Sequence, residues 1–514
     1  MAPTVLDRLI GYFDPKAGLS RMMARAALER SYEAVDRKRA SNARRMRGRG
    51  PNAAQRAYLQ PVRDMARDLV RNGPDAAAAL RALTAYAIGD GVTVACEHKN
   101  PRVARLAQEI WDAESLKPLD GRNDVYAQQK IAFRAMILDG EVLKVWSAVG
   151  SEPNARCVVR EADFLDEQLS TAFGQTGNTI VAGVEFDALG DRIAYHLFDH
   201  HPRDLVSRGA RRRVAAEHVD HIFEEERPGQ ARGISRFAPI LTTLLDLDDI
   251  ELAIRERRKA EASIGLIVKQ GPMSGAFNPA APQLGAGDPA QASGPGAEVL
   301  DMAGAPIERI TPGMIARMVQ GDEITTLNWS SAGDATEFQR MQRYLVSAAF
   351  GVPYFMLSGD TSQSNYTSQR ADLVKFYVLL DQLQRLVIEP QDLQPTFRRI
   401  MQRAALRTGN RKLLEVVARP IWPPKPVVDP LKDGLAEIHE IRAGLKSMPD
   451  ALRARGHDPV AHVEAIGDWI TMTDKAGLVL DTDPRRTAGS GNLQPAAGYV
   501  RPTGDATDQT DTGA

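Results

Sequence analysis

Apolar residues recur at helical spacing through residues 54–88, and an Asn-Gly-Pro at 72–74 divides the run. That triplet reads as a helix stop, a turn and a proline opening the next helix. Leu80, Leu83 and Ala87 then share one face, Ile-Gly-Asp-Gly at 88–91 closes the second helix, and VTVAC at 92–96 begins a strand. A further helix over 101–113 places Val103, Leu106, Ile110 and Trp111 on its buried side. Helical spacing returns over 125–138, followed by an Asp-Gly turn and the alternating strand EVLKVWSAV. Short strands separated by turn residues recur at 156–166, 179–199 and 217–226, so this stretch reads as a mixed α+β body.

The pattern changes at Gly233. Residues 234–263 form one long helix with few breakers, in which Ile240, Leu241, Leu244, Leu245, Leu247 and Ile250 are the apolar part and the C-terminal half is strongly charged. A strand-like IGLIVK at 264–269 leads into a Gly/Pro/Ala/Ser segment, 271–297, whose composition cannot bury enough apolar surface to order itself. Short extended pieces fall at 306–310 and 324–329. Helix resumes at Ala335 and stops at Gly351-Val352-Pro353. A polar loop over 358–369 then enters another long helix, which Pro390 and Pro395 are expected to kink or interrupt. Residues 420–430 read as a proline-stiffened connector, 431–445 and 461–476 as helices, and 481–514 as a disordered tail.

A chain of 514 residues exceeds what one core fills, so two or three subdomains are expected. The low aromatic content, 6%, together with abundant alanine favours helix over sheet. The net charge of -1 argues against a polycation built to hold nucleic acid tightly. Basic residues nevertheless dominate 21–71, densest at 37–50; this is a mobile solvated arm, a phosphate-contacting arm or a docking strip for an acidic partner. Cys96 and Cys157 allow one disulfide at most and match no zinc spacing, so the reducing cytoplasm is the simplest compartment. The N-terminus carries no secretory signal pattern, and nothing approaches the roughly 18 consecutive apolar residues of a membrane span.

Catalytic motifs are missing from the sequence. Without a Gly-Lys dipeptide there is no P-loop, and neither a Gly-x-Ser-x-Gly elbow nor a His-Glu-x-x-His helix occurs. His196, His200, His201, His218, Asp220 and His221 could supply metal ligands, although their alternation sends them to both sides of strands. Asp246, Asp248 and Asp249 are a second carboxylate group, readable as a two-metal nuclease site or as a charged helix face.

One arrangement remains: a long helix, a compact extended excursion, a second helix, a polar loop and a long broken helix. Neither of the first two helices has the apolar surface to stand alone, so each must pack beside copies from other subunits, and a head-to-tail contact of that kind closes into a ring. ERPGQARGIS at 226–235, FGVPYFMLSGDTSQSNYTSQRADLVKFY at 350–377, RPIWPPKPVVDPLKDGLAEIHEIRAGLKS at 419–447 and LVRNGPDAAAALRALTAYAIGDGV at 69–92 resemble the lambda-like family of phage portal proteins, in that family's order and spacing. The 271–297 insert departs from the family pattern.

The resemblance implies an α+β, mostly helical portal fold with wing, stem, clip and crown subdomains. Placed on this chain it implies a basic arm at 1–50, a wing at 51–233, stem helices at 234–262 and 335–352, a clip at 263–334, and a tunnel loop at 353–367. A long wing helix and connector would occupy 368–430 and the crown 431–480. It further implies a homo-oligomeric ring, a dodecamer, passing double-stranded DNA, with the terminase large subunit, head-completion and tail-adaptor proteins, and major capsid and scaffold proteins as partners, and with neither cofactor nor membrane. Asp360, Thr361, Ser362, Gln363, Ser364, Asn365 and Tyr366 would face DNA, and the absence of any base from 358 to 369 suits a channel in which each phosphate contact acts as a brake. Asp246, Asp248, Asp249, Glu251, Arg255, Arg257 and Arg258 would lie near the channel or at subunit contacts. The alternatives are a metal-dependent nuclease and a DNA-binding protein acting through its basic arm.

Overall fold

The computed structural model describes residues 50–171, 177–204, 210–263, 267–269, 323–325, 332–362, 365–427 and 429–478. The expected basic arm up to residue 49, the 271–297 insert, nearly all of 263–334 and the 481–514 tail lie outside the described residues.

The chain opens with α1 (Pro51–Gln55), α2 (Leu59–Asn72) and α3 (Pro74–Ala87), followed by β1 (Thr93–Glu97), α4 (Pro101–Ser115) and α5 (Val125–Asp139). The break between α2 and α3 falls at the Asn-Gly-Pro, where the Gly73 N–H donates to the Leu69 carbonyl at 2.7 Å. Asp124 caps α5 by accepting from the Ala127 N–H, and Gly140 at φ +94° ends it. Seven strands follow: β2 (Glu141–Val149), β3 (Glu152–Glu161), β4 (Thr179–Val181), β5 (Val184–Phe186), β6 (Arg192–Phe198), β7 (Arg211–Ala215) and β8 (Val219–Phe223). They form two antiparallel sheets, ordered β3-β2-β8 and β4-β5-β6-β7.

Next come α6 (Leu241–Ser263), β9 (Ile267–Lys269), β10 (Glu323–Thr325), α7 (Ala332–Phe350), α8 (Tyr354–Ser358) and α9 (Tyr366–Leu383). β9 and β10 pair antiparallel, Lys269 opposite Glu323, so the excursion between α6 and α7 leaves and returns side by side. A π-helical segment, Gln384–Leu393, precedes α10 (Gln394–Thr408), β11 (Val417–Ile421), α11 (Pro430–Arg442), α12 (Met448–Ala454) and α13 (Pro459–Lys475).

The described residues divide into two compact units, the first within 50–87 and 117–396, the second within 88–116 and 397–478. In the first, Leu143, Val145, Leu165, Val184, Tyr195, Leu197 and Val219 form one apolar cluster from both sheets. Leu80, Leu83 and Ala87 are buried, as their spacing requires. Beside the sheets, the Glu141 carboxylate is wholly buried and accepts from Arg232, from His221 at 2.9 Å and from the Gly233 N–H at 2.9 Å. Arg232 and His221 hold that carboxyl well below its usual range against the opposing effect of burial. Gly233 passes so close to Gly140 that a Cβ there would sit 2.0 Å from the Gly140 oxygen, which is why only glycine fits.

Three expectations need correction. The long helix starts at Leu241 rather than at 234: the Arg236 N–H donates to the Ile137 carbonyl at 3.1 Å, and a short 3₁₀ turn carrying Pro239 leads in. The break around Pro390 is not a loop or a turn: the α-helix gives way to the π segment Gln384–Leu393, and helical winding continues. The π turn absorbs the missing donor and the ring clash, and Asp392 within it is fixed to buried Lys144 at 2.5 Å. In the second unit, the proline-rich connector begins as a strand. β11 pairs with β1 with Pro420 opposite Val94, which a two-stranded ladder tolerates because each strand has a free edge.

That second unit centres on Trp111, which donates to Thr93 Oγ1 at 3.1 Å and packs against Phe397 at 5.6 Å between ring centroids. Buried Glu114 receives Arg403 at 2.5 Å and Arg407 at 3.1 Å. Beyond β11 the structure has three helices where two were expected; α12 is only seven residues long, begun by the Ser447 cap.

Candidate functional site

α6 and α7 touch at their base. Phe237, Leu241, Leu244 and Leu247 are buried, as are Val346 and Phe350, and the Phe237 and Phe350 rings lie 4.8 Å apart. Further out the apolar residues turn to solvent: Leu252 is 55% exposed, Leu345 54% and Met341 51%, and Phe338 and Tyr344 are also exposed. An apolar residue alone on a surface, such as Leu252, needs no explanation, but the group of four on α7 does.

Of the residues singled out on α6, Asp249, Arg255 and Arg258 are exposed, whereas Asp246, Asp248, Glu251 and Arg257 are half-buried. Arg255 lies 3.8 Å from Glu251 along the same helix. Glu251 also takes Arg343 from α7, and Arg343 reaches Asp75 at the start of α3 at 3.0 Å. The Asp248 carboxyl is raised above its ordinary value by burial and by the nearby Glu251, Asp75 and Asp249 charges. Arg343 and Asp75 were not singled out in the sequence. The one signal was the i, i+3 pair of Arg340 and Arg343 on a helix that otherwise carries outward apolar groups.

The loop after α7 is built by two glycines in the left-handed region, Gly351 at φ +82° and Gly359 at φ +70°. The helix α8 between them refines the expected open loop. Asp360 collects its surroundings: its carboxylate accepts from the Ser362 N–H at 2.9 Å and pairs with Arg340 of α7 at 3.3 Å. Hydrogen bonds from Ser362 are the main cause that holds this carboxyl below its usual value, with smaller contributions from Arg340 and Tyr354. Tyr354 stacks on Tyr344 of α7, centroids 4.2 Å apart. Thr361, Ser362 and Asn365 are exposed, and Asn365 caps α9 in a reciprocal pair with Ser368. Tyr366 is half-exposed in the first turn of α9; Gln363 and Ser364 lie outside the described residues.

The histidines do not converge. His196 on β6 meets Glu185 at 3.1 Å, His221 on β8 meets Glu141, and His218 lies 3.4 Å from its neighbour Glu217. His200 is exposed, and Asp220 accepts from the Trp146 indole at 2.5 Å. Among the described residues a single group has metal-ligand spacing, Glu161, Asp163 and His201. Arg67 already bridges its two carboxylates at 2.9 and 2.8 Å, so a guanidinium supplies the positive charge there. Asp246 and Asp249 enter no such group among the described residues. Cys96 and Cys157 are not joined in a disulfide.

The fold is therefore α+β and mostly helical, with an exposed helix pair leading to a polar loop. The family described as phage portal protein, lambda family, matches residues 37–384. A comparison with curated proteins finds no match. Among solved structures, the neck of an empty gene transfer agent (GTA) particle computed with C6 symmetry is 13% identical, with a TM-score of 0.43, covering 74% of this chain and 90% of that one. The neck of a native GTA particle computed with C12 symmetry is 14% identical at a TM-score of 0.38, covering 77% and 94%. The crystal structure of an HK97 family phage portal protein from Corynebacterium diphtheriae is 11% identical at a TM-score of 0.33, covering 70% and 95%. The chain belongs to the lambda family of phage portal proteins, and it is a capsid portal subunit of that family.

Proposed function

We propose that copies of this chain join head-to-tail into a ring, a dodecamer as the family resemblance implies, whose α6 and α7 line a channel for double-stranded DNA during packaging and ejection. Residues 51–233 form the wing, 234–262 and 335–352 the stem, 263–334 the clip and 431–480 the crown. The loop from Asp360 to Tyr366 faces the duplex. The clip receives the terminase large subunit and later the head-completion and tail-adaptor proteins, while major capsid and scaffold proteins surround the ring. The subunit itself performs no chemistry; its work is mechanical.

The observation that carries this reading is the outward apolar surface of α7, with Leu252 of α6, which a single subunit leaves in water. Leu252 on one helix and Met341, Tyr344 and Leu345 on the other supply contact area for neighbouring copies. A loop with hydroxyl and amide groups and no base offers the duplex weak, exchangeable hydrogen bonds at every register. A nuclease reading finds no support in the carboxylates, since Asp163 and Glu161 are bridged by arginine. Electron microscopy of the purified protein with a mass measurement tests the proposal. Rings with an open centre, at twelve times the 56.2 kDa subunit mass, are expected; a homogeneous 56.2 kDa particle without rings would overturn it.

A further inference from the structure

Arg340 is the cation that α7 presents beside the loop, and the structure pairs it with an acid. Its guanidinium lies 3.3 Å from the Asp360 carboxylate, and both side chains are about one-third exposed, at 35% and 31%. Asp360 is not an incidental neighbour. The Ser362 N–H donates to it at 2.9 Å, and the Asp360 N–H donates to Ser358 Oγ at 3.1 Å. One turn along α7 from Arg340, Tyr344 stacks on Tyr354, so the segment carrying Asp360 is held against the helix at two points. Of the other arginines nearby, Arg343 turns to Asp75 and Glu251, Arg236 to Glu224 and the Phe350 carbonyl, and the exposed Arg370 of α9 donates to the Tyr366 hydroxyl at 3.4 Å.

We infer that Asp360 is a charge mask that withholds the Arg340 guanidinium from DNA phosphates. An unmasked arginine is a fixed positive charge with a fork of donors suited to phosphate. Repeated around a ring, such a group would add a salt-dependent contact from each copy it engages, the opposite of what sliding requires. Masking resolves the conflict by letting Arg340 secure the loop to α7 while contributing no net charge to the surface beside it. The inference rests on the proposed channel.

The test uses assembled full-length protein and measures binding of a linear duplex across a salt series. D360N is expected to tighten binding at low salt and steepen the fall of log K with log salt, by about 0.9 for each phosphate newly contacted. R340Q is expected to leave the parent slope unchanged, because Arg340 makes no phosphate contact to lose, and the double variant returns to the parent slope. D360S replaces D360N if the latter does not assemble. A D360N slope equal to the parent's, or an R340Q slope shallower than the parent's, overturns the mask. Absence of rings in the parent itself would instead overturn the channel, so the two failures are distinguishable.

Discussion

The joint around Glu141 and the helix pair α6–α7 use the same kinds of residue in opposite ways. At the joint, charges are buried and answered within the subunit: Glu141 and Arg232 have side chains only 2% exposed and lock together, with His221 beside them. Along α6 and α7, apolar side chains are half in water while several charges sit on the flank. The first region is complete alone; on the proposed reading, the second is completed by neighbouring copies. A ring subunit of the kind proposed would need both, and the buried ion pair lies just before α6 begins.

The contrast can be broken at either side. The largest effect is expected from R232M, which strands a buried carboxylate. Removing one partner of a buried pair costs about 3–5 kcal/mol, read as a lower denaturation midpoint, and E141Q/R232M should recover part of that loss. An R232M midpoint equal to the parent's would show the joint to be dispensable. Next in size, M341K with L345K should abolish ring assembly yet change subunit stability by no more than about 0.5 kcal/mol, the usual limit for exposed positions. Assembly unaffected by both charges would place the neighbour contact elsewhere.

A smaller effect concerns acid. Arg213, Asn178 and His196 hold the Glu185 carboxyl at about 2 against an ordinary 4.5, Arg213 contributing most. The folded value is depressed, so its contribution is full above pH 4.5 and is lost as pH falls through about 2. E185Q should flatten the stability profile across that interval. A profile identical to the parent's would show that this pair, whose arginine is half in water, contributes nothing.

Much of this was legible in the sequence. The Asn-Gly-Pro break between α2 and α3, the buried face of α3, the bounds of α5 and the family likeness of 350–377 all follow from local pattern. What escaped was set by distant partners. Pro390 reads as a breaker, yet the Lys144–Asp392 pair holds a π turn around it. Pro420 reads as a connector until β1 is known to lie opposite. The partner of Glu251 was equally hidden, since Arg343 lies 92 positions along the chain and is shared with Asp75, 268 positions away. Asp360 was singled out as a DNA-facing loop residue, but its pairing with Arg340 depends on the turn at Gly359.

The central claim is that water leaves the outward apolar faces of α6 and α7 when copies meet. Single cysteines introduced as L252C and L345C, with Cys96 and Cys157 replaced by serine, would report it through maleimide labelling before and after assembly. Rapid labelling in dissociated subunits and strong protection in rings is the predicted result. Equal labelling rates in the two states would contradict the account.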